Sequence, residues 1–207
     1  MHRVAVFLDY QNVYRSARRA FFGDSGPASH GNVFPDLLAD LFVSRGFPGG
    51  ELVAVHVYRG LADATKQPKT NAAALRQQAA HEARAPGIVR YHHRPLRYPY
   101  DWPNTKPEEK GVDVELAMDF VTMAGRDYDV GVLFSADTDL LPALEAVTAM
   151  TKPYPRCTVA TWVGGQQIAP RLRLPQVNLY CYYLDRADFD SVADTTRYAV
   201  GTSASTP

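Results

Sequence analysis

Two short apolar runs constrain this chain most: Val4-Ala5-Val6-Phe7-Leu8, followed at once by Asp9, and Val130-Gly131-Val132-Leu133-Phe134, followed within three residues by Asp137. Neither alternates with polar residues as a half-exposed strand would, so both read as parallel strands covered on two faces by helices. The segments between them fit. Asn12 to Phe22 reads as a helix with Val13, Ala17, Ala20 and Phe21 on one side and Arg15, Arg18 and Arg19 on the other. Pro35 to Ser44 is a second helix, stopped by Gly46 and Pro48, and Leu52 to Tyr58 a strand. A third helix capped by Thr70 or Asn71 runs to about Arg84, followed by a strand over Ile88–His92. Further on come helices over Gly111–Ala124 and Thr138–Met150 and late strands over Thr158–Trp162 and Leu179–Leu184. Strands alternating with helices predict an α/β fold with a mainly parallel sheet and helices on both faces. The expected division is one domain over residues 1–185 and a C-terminal extension, 186–207, partly disordered and fraying from about Val192.

In open parallel sheets ligands bind at the carboxyl ends of strands where the strand order reverses; if the first and fourth strands are neighbours there, Asp9 and Asp137 face one crevice. Asp139 lies in the same turn as Asp137. On the helix after Gly111, Asp113 shares three- and four-residue spacing with Leu116, Ala117 and Phe120, so a carboxylate heads an apolar stripe and needs a partner. A divalent cation is one such partner and Lys110 another. Each acid also has a plainer reading: Asp9 and either Asp137 or Asp139 as helix caps, and Asp113 as a charge favoured in a first helical turn. If the four converge, an oxygen-only set without His or Cys suits Mg²⁺ or Mn²⁺.

Composition narrows the setting. Lys plus Arg and Asp plus Glu both count 22, so any attraction for phosphate must come from local clustering of charge. The two cysteines, Cys157 and Cys181, lie in apolar strand-like runs and read as buried thiols of a reducing compartment. No apolar run is long enough to span a bilayer, and the N-terminus does not read as a signal peptide, so a cytoplasmic location is expected.

Three motifs taken together resemble those of the NYN domain, a branch of the PIN-like nucleases. They are Asp9-Tyr10-Gln11-Asn12 after a hydrophobic strand, Lys110-Gly111-Val112-Asp113, and Ser135-Ala136-Asp137-Thr138-Asp139-Leu140-Leu141-Pro142. The resemblance covers roughly residues 3 to 185. It implies a three-layer α/β/α fold with a central parallel sheet and metal-dependent cleavage of RNA phosphodiesters, for which the oxygen-only donors make Mg²⁺ or Mn²⁺ the expected ion. By that likeness Asp9, Asp113, Asp137 and Asp139 are the metal-binding, catalytic acids. Asn12 and Ser135 are supporting polar groups, and Lys110 orients Asp113 or meets a phosphate. Ala136 departs from the glycine common in the family.

Single-stranded RNA is held by cations on its backbone and aromatic faces against its bases. Arg15, Arg59, Lys66, Arg94 and Arg97 are the candidate contacts, the last two in a basic, aromatic stretch from Tyr91 to Trp102. A Pro-rich loop of this kind also packs readily on its own domain. Adjacent His92 and His93 point to opposite faces of a strand, so they do not share a metal. The apolar late strands leave room for homo-oligomerisation. Two other functions compete with an endoribonuclease: an RNA-binding or assembly module with little turnover, and a metal-dependent phosphatase acting on small esters.

Overall fold

A computed structural model of the chain describes residues 1–23, 26–27, 29–150, 156–165 and 170–199. Six strands form one sheet: β1 (Arg3–Asp9), β2 (Glu51–Leu61), β3 (Val89–Pro95), β4 (Val130–Phe134), β5 (Arg156–Trp162) and β6 (Cys181–Leu184). Their order is β3-β2-β1-β4-β5-β6, and every neighbouring pair is parallel. The chain winds outward from β1 to β3, then returns to the other side of β1 for β4. The strand order therefore reverses between β1 and β4, so a crevice opens at their carboxyl ends.

Alternate residues of β1 feed two cores. Val4, Val6 and Leu8 face α1 (Tyr10–Phe21), α2 (Pro35–Gly46) and α6 (Arg186–Val192), represented by Val13, Ala17, Leu38, Phe42, Phe189 and Val192. Ala5 and Phe7 face α4 (Val112–Met123) and α5 (Leu141–Thr148), through Leu116, Phe120, Ala143 and Leu144. Phe7 meets the rings of Phe120 and Tyr128 edge-on, at 5.1 and 5.4 Å. The result is the expected three-layer α/β/α arrangement, and its core strands are apolar on both faces because both faces are covered. A sixth helix, α3 (Pro68–Arg84), packs beside β3 and α2.

Three local differences from the sequence reading have physical causes. Helix α3 starts at Pro68, whose fixed φ suits the first helical position, so Thr70 and Asn71 fall inside the first turn; Asn71 instead donates its side-chain amide to Ala62 O at 2.7 Å. The helix after β4 is broken into a 3₁₀ turn, Thr138–Leu140, and α5, because Pro142 has no N–H to give the carbonyl four residues back. From Val192 the chain packs onto the domain as far as Asp194. Asp185 and Asp188 form a reciprocal cap that opens α6, Val192 is 2% exposed, and Asp194 is fully buried. Residues 200–207, the end of the expected extension, lie outside the described residues. Among the described residues no helix is long and apolar enough to cross a membrane.

Candidate active site

Asp9 ends β1 and caps α1, its Oδ1 accepting the backbone N–H of Asn12 at 3.1 Å. Its other oxygen accepts the Ser135 hydroxyl at 2.9 Å. Ser135, 1% exposed, follows β4, and its Oγ accepts in turn the N–H of Asp137 at 3.1 Å. The Asn12 side chain reaches across to accept the N–H of Ala136 at 3.4 Å. These bonds lock the β1–α1 turn to the β4–α5 turn. No non-glycine residue among those described has a positive φ, so Ala136 fits the turn without strain.

A cavity of about 620 Å³ opens over this seam, lined by Asp9, Asn12, Arg15, Glu109, Asp113 and Asp137 together with Gln11, Tyr14, Arg18, Arg19 and Val112. Gly111, with φ +75°, adopts the left-handed turn from which α4 starts, and α4 presents Asp113 in its first turn. The buried stripe of α4 is Val112, Leu116 and Phe120; Asp113 stands half-buried at its margin. The capping and ligand readings of the acids prove compatible. Asp9 caps α1 and faces the cavity, and Asp137 faces it while capping the 3₁₀ turn, its Oδ1 accepting the N–H of Asp139 at 3.0 Å.

One of the four expected metal-binding acids, Asp139, and one expected supporting group, Lys110, lie outside the cavity lining. Asp139 is exposed and is not among the cavity-lining residues. Lys110 is exposed and pairs with Glu108 at 3.9 Å, so its ammonium is turned to a different carboxylate from Asp113. In exchange the fold supplies Glu109, which the sequence reading passed over as loop. Its Oε1 accepts the N–H of Gly60 at 2.7 Å, a contact between residues 49 apart in the chain. No local periodicity carries a signal for such a contact.

Burial pushes the Asp9 carboxyl above its ordinary range, and the nearby Asp137 charge adds to this; hydrogen bonds from Asn12 and Ser135 work the other way. Glu109 is likewise raised by burial and by the charge of Asp9, against the Gly60 N–H and the cations Arg59 and Arg15. Acids crowded in this way gain from a cation. Among the described residues no three His, Cys, Asp or Glu side chains are drawn together tightly enough to enclose an ion. The donor set nevertheless fits magnesium or manganese, because Mg²⁺ is held by one or two carboxylates and keeps its remaining waters.

Of the expected nucleic-acid contacts, Arg15 lines this cavity and Arg59 an adjoining one. Lys66 lies over the Tyr98 ring at 4.4 Å, and Arg94 pairs with Glu115 at 3.4 Å. Arg97 is exposed and bridges by backbone to Glu108. None of these three lines either cavity. The Pro-rich loop packs on its own domain: Tyr98 donates to Gln67 at 2.9 Å, and the N–H of Leu96 to Leu61 O at 3.0 Å. His92 turns toward His56, 3.0 Å between ring nitrogens, while the His93 ring lies beside Tyr91.

No curated protein matches the chain. One similar solved structure is the crystal structure of a protein of unknown function from Vibrio parahaemolyticus RIMD 2210633, 18% identical, with a TM-score of 0.46 over 92% of this chain and 89% of that one. The family model for the NYN domain matches residues 3–154, a span that contains all three acidic motifs. On that match, which takes in well over half of its residues, the chain belongs to the NYN domain family.

Proposed function

We propose that the protein is a metal-dependent endoribonuclease that hydrolyses RNA phosphodiester bonds at the carboxyl ends of β1 and β4. Family membership supports a nuclease in general. The observation that carries the finer reading is the partly buried Asp9 carboxylate, raised by burial and fixed at both oxygens, sharing one cavity with Asp113 and Asp137. In this reading Asp9 and Asp137 would hold Mg²⁺ or Mn²⁺, with Asp113 and Glu109 lining the same cavity. A bound divalent ion supplies an activated water at neutral pH and neutralises charge on the phosphate in the transition state.

The chain's own residues do the rest. Ser135 and Asn12 fix the two oxygens of Asp9, so its remaining lone pairs point in a set direction. Arg15, exposed on α1 at the rim, meets a phosphate of the incoming strand as a positive charge. Asp139, outside the cavity, serves through its backbone N–H, which orients Asp137.

The test is cleavage of unstructured RNA by the pure protein with added Mg²⁺ or Mn²⁺. The reading requires turnover that chelation and Asp137→Asn both abolish. Tight RNA binding with no turnover, or turnover of small phosphate esters but not of RNA, would replace it.

A further inference from the structure

A second cavity, of about 760 Å³, adjoins the acidic one and shares with it Gln11, Tyr14, Arg15 and Glu109. Its charge differs. The acidic cavity presents four carboxylates against three arginines, whereas the second presents three arginines, Arg15, Arg59 and Arg197, against the single carboxylate of Glu109. A chain with no net charge thus carries a locally basic chamber beside its acidic one.

Arg59 is preorganised there. Its Nη1 donates to Gln77 Oε1 at 2.8 Å, and its guanidinium lies 5.2 Å from the centre of the Tyr10 ring. Gln77, 5% exposed, donates to the Tyr10 hydroxyl at 2.9 Å, so the support is itself buried and fixed. Both partners that hold the guanidinium are neutral, and the one carboxylate lining the cavity, Glu109, faces three arginines there, so positive charge remains in excess for an anion.

Part of the lining is Thr196, Arg197, Tyr198 and Ala199, a segment beyond the family match, which ends at residue 154. It is tied to α3 from two sides. Fully buried His81 meets Asp194 at 2.9 Å, and Arg76 Nε donates to Tyr198 O at 2.7 Å. The tether holds Arg197 and Tyr198 in the lining of the cavity that Arg59 also lines.

We infer that this second cavity is a subsite for the neighbouring nucleotides of a single-stranded RNA, gripping the backbone through Arg59 and Arg197. A strand whose cut phosphate lies over Asp9 and Asp137 then continues past Arg15 into the basic chamber. This inference rests on the ribonuclease reading for its substrate, but it can be tested without turnover.

The experiment measures binding of a fluorescein-labelled oligouridylate, about ten nucleotides long, to the full chain in EDTA by anisotropy, from low to moderate salt. Arg59→Gln and Arg197→Gln are each expected to weaken binding and to lower the slope of log Kd against log salt by about one, the loss of one phosphate contact. Arg126→Gln, which removes an exposed cation at the opposite end of β4, is the charge control and is expected to bind as wild type. If Arg59→Gln no longer melts cooperatively, Arg197→Gln decides alone, since Arg197 is exposed. Wild-type affinity and slope in the folded variants would overturn the subsite, as would no binding by the wild-type protein. The two readings fail separately. Arginine-dependent binding with no cleavage under any metal sinks the nuclease and keeps the subsite; cleavage with arginine-independent binding does the reverse.

Discussion

The Ser135 hydroxyl donates to Asp9 Oδ2 at 2.9 Å, across the seam where the strand order of the sheet reverses. The two residues lie 126 positions apart, and the same oxygen of Ser135 accepts the N–H of Asp137. One buried hydroxyl therefore sets the spacing between the first and third acidic motifs.

Ser135→Ala should accordingly act through its neighbours. It leaves Asp9 with one fewer donor and the Asp137 N–H without its acceptor, at a cost of about 1–3 kcal/mol in stability. The Mn²⁺ concentration giving half-maximal cleavage should rise roughly 10–100-fold, the usual effect of losing a group that orients a metal ligand. A metal titration of RNA cleavage, with a thermal melt of the same sample, measures both.

Asp9→Asn should separate function from stability. Burial raises the Asp9 carboxyl, so its charge weakens the metal-free fold, and the neutral amide removes that charge. The variant is expected to melt at or above the wild-type temperature in EDTA and to lose both cleavage and the stabilisation that added Mn²⁺ gives the wild type. A melt lowered in EDTA, with Mn²⁺ stabilisation intact, would point to a capping role alone.

Asp139→Asn and Asp137→Asn should differ sharply. Asp139 is exposed and contributes its backbone N–H, which the substitution keeps, whereas Asp137 presents its carboxylate to the cavity. Single-turnover cleavage at saturating metal should fall by less than about tenfold for the first and by about a hundredfold to a thousandfold or beyond detection for the second, which loses a metal-holding carboxylate and the charge stabilisation it supports. Equal losses would return Asp139 to the ligand set.

The buried pair behind the second cavity carries a stability prediction. Burial raises the Asp194 carboxyl, but hydrogen bonds from His81, Thr196 and Tyr198 more than offset this and hold it down to about 2. Because its folded value is depressed, Asp194 stabilises the fold above its unfolded value of 3.8, and this is lost as pH falls from there to about 2. Asp194→Asn should flatten the fall in stability across that window, as read by denaturant melts at stepped pH. His81→Leu, which removes one of the donors holding the buried carboxylate, should cost about 1–3 kcal/mol at neutral pH.

The fold was legible wherever burial is two-sided. Val4–Leu8 and Val130–Phe134 could be read as central strands because they contact helices on both faces, and apolar continuity is the direct trace of that. Asp9, Asn12, Asp113 and Ser135 were legible as a set because each sits at the end or start of such an element. Glu109 was not, because its place is fixed by the Gly60 N–H, a contact written into neither residue's neighbours. Asp139 follows Asp137 in the 3₁₀ turn yet is exposed and not among the cavity-lining residues, so nearness in sequence does not by itself make two acids neighbours in a cavity. Helix α6 was missed although Asp185 and Asp188, followed by Phe189 and Val192, carry a capping and apolar pattern; its brevity, seven residues, hid the periodicity.

The central claim is that Asp9 and Asp137 together hold a divalent cation. Anomalous diffraction from crystals soaked in Mn²⁺ addresses it without reference to substrate or turnover. The account predicts a manganese peak within coordination distance of both carboxylates, absent from crystals of Asp137→Asn. Crystals saturated with Mn²⁺ that show no peak at the β1–β4 crevice, or the same peak in Asp137→Asn, would contradict it.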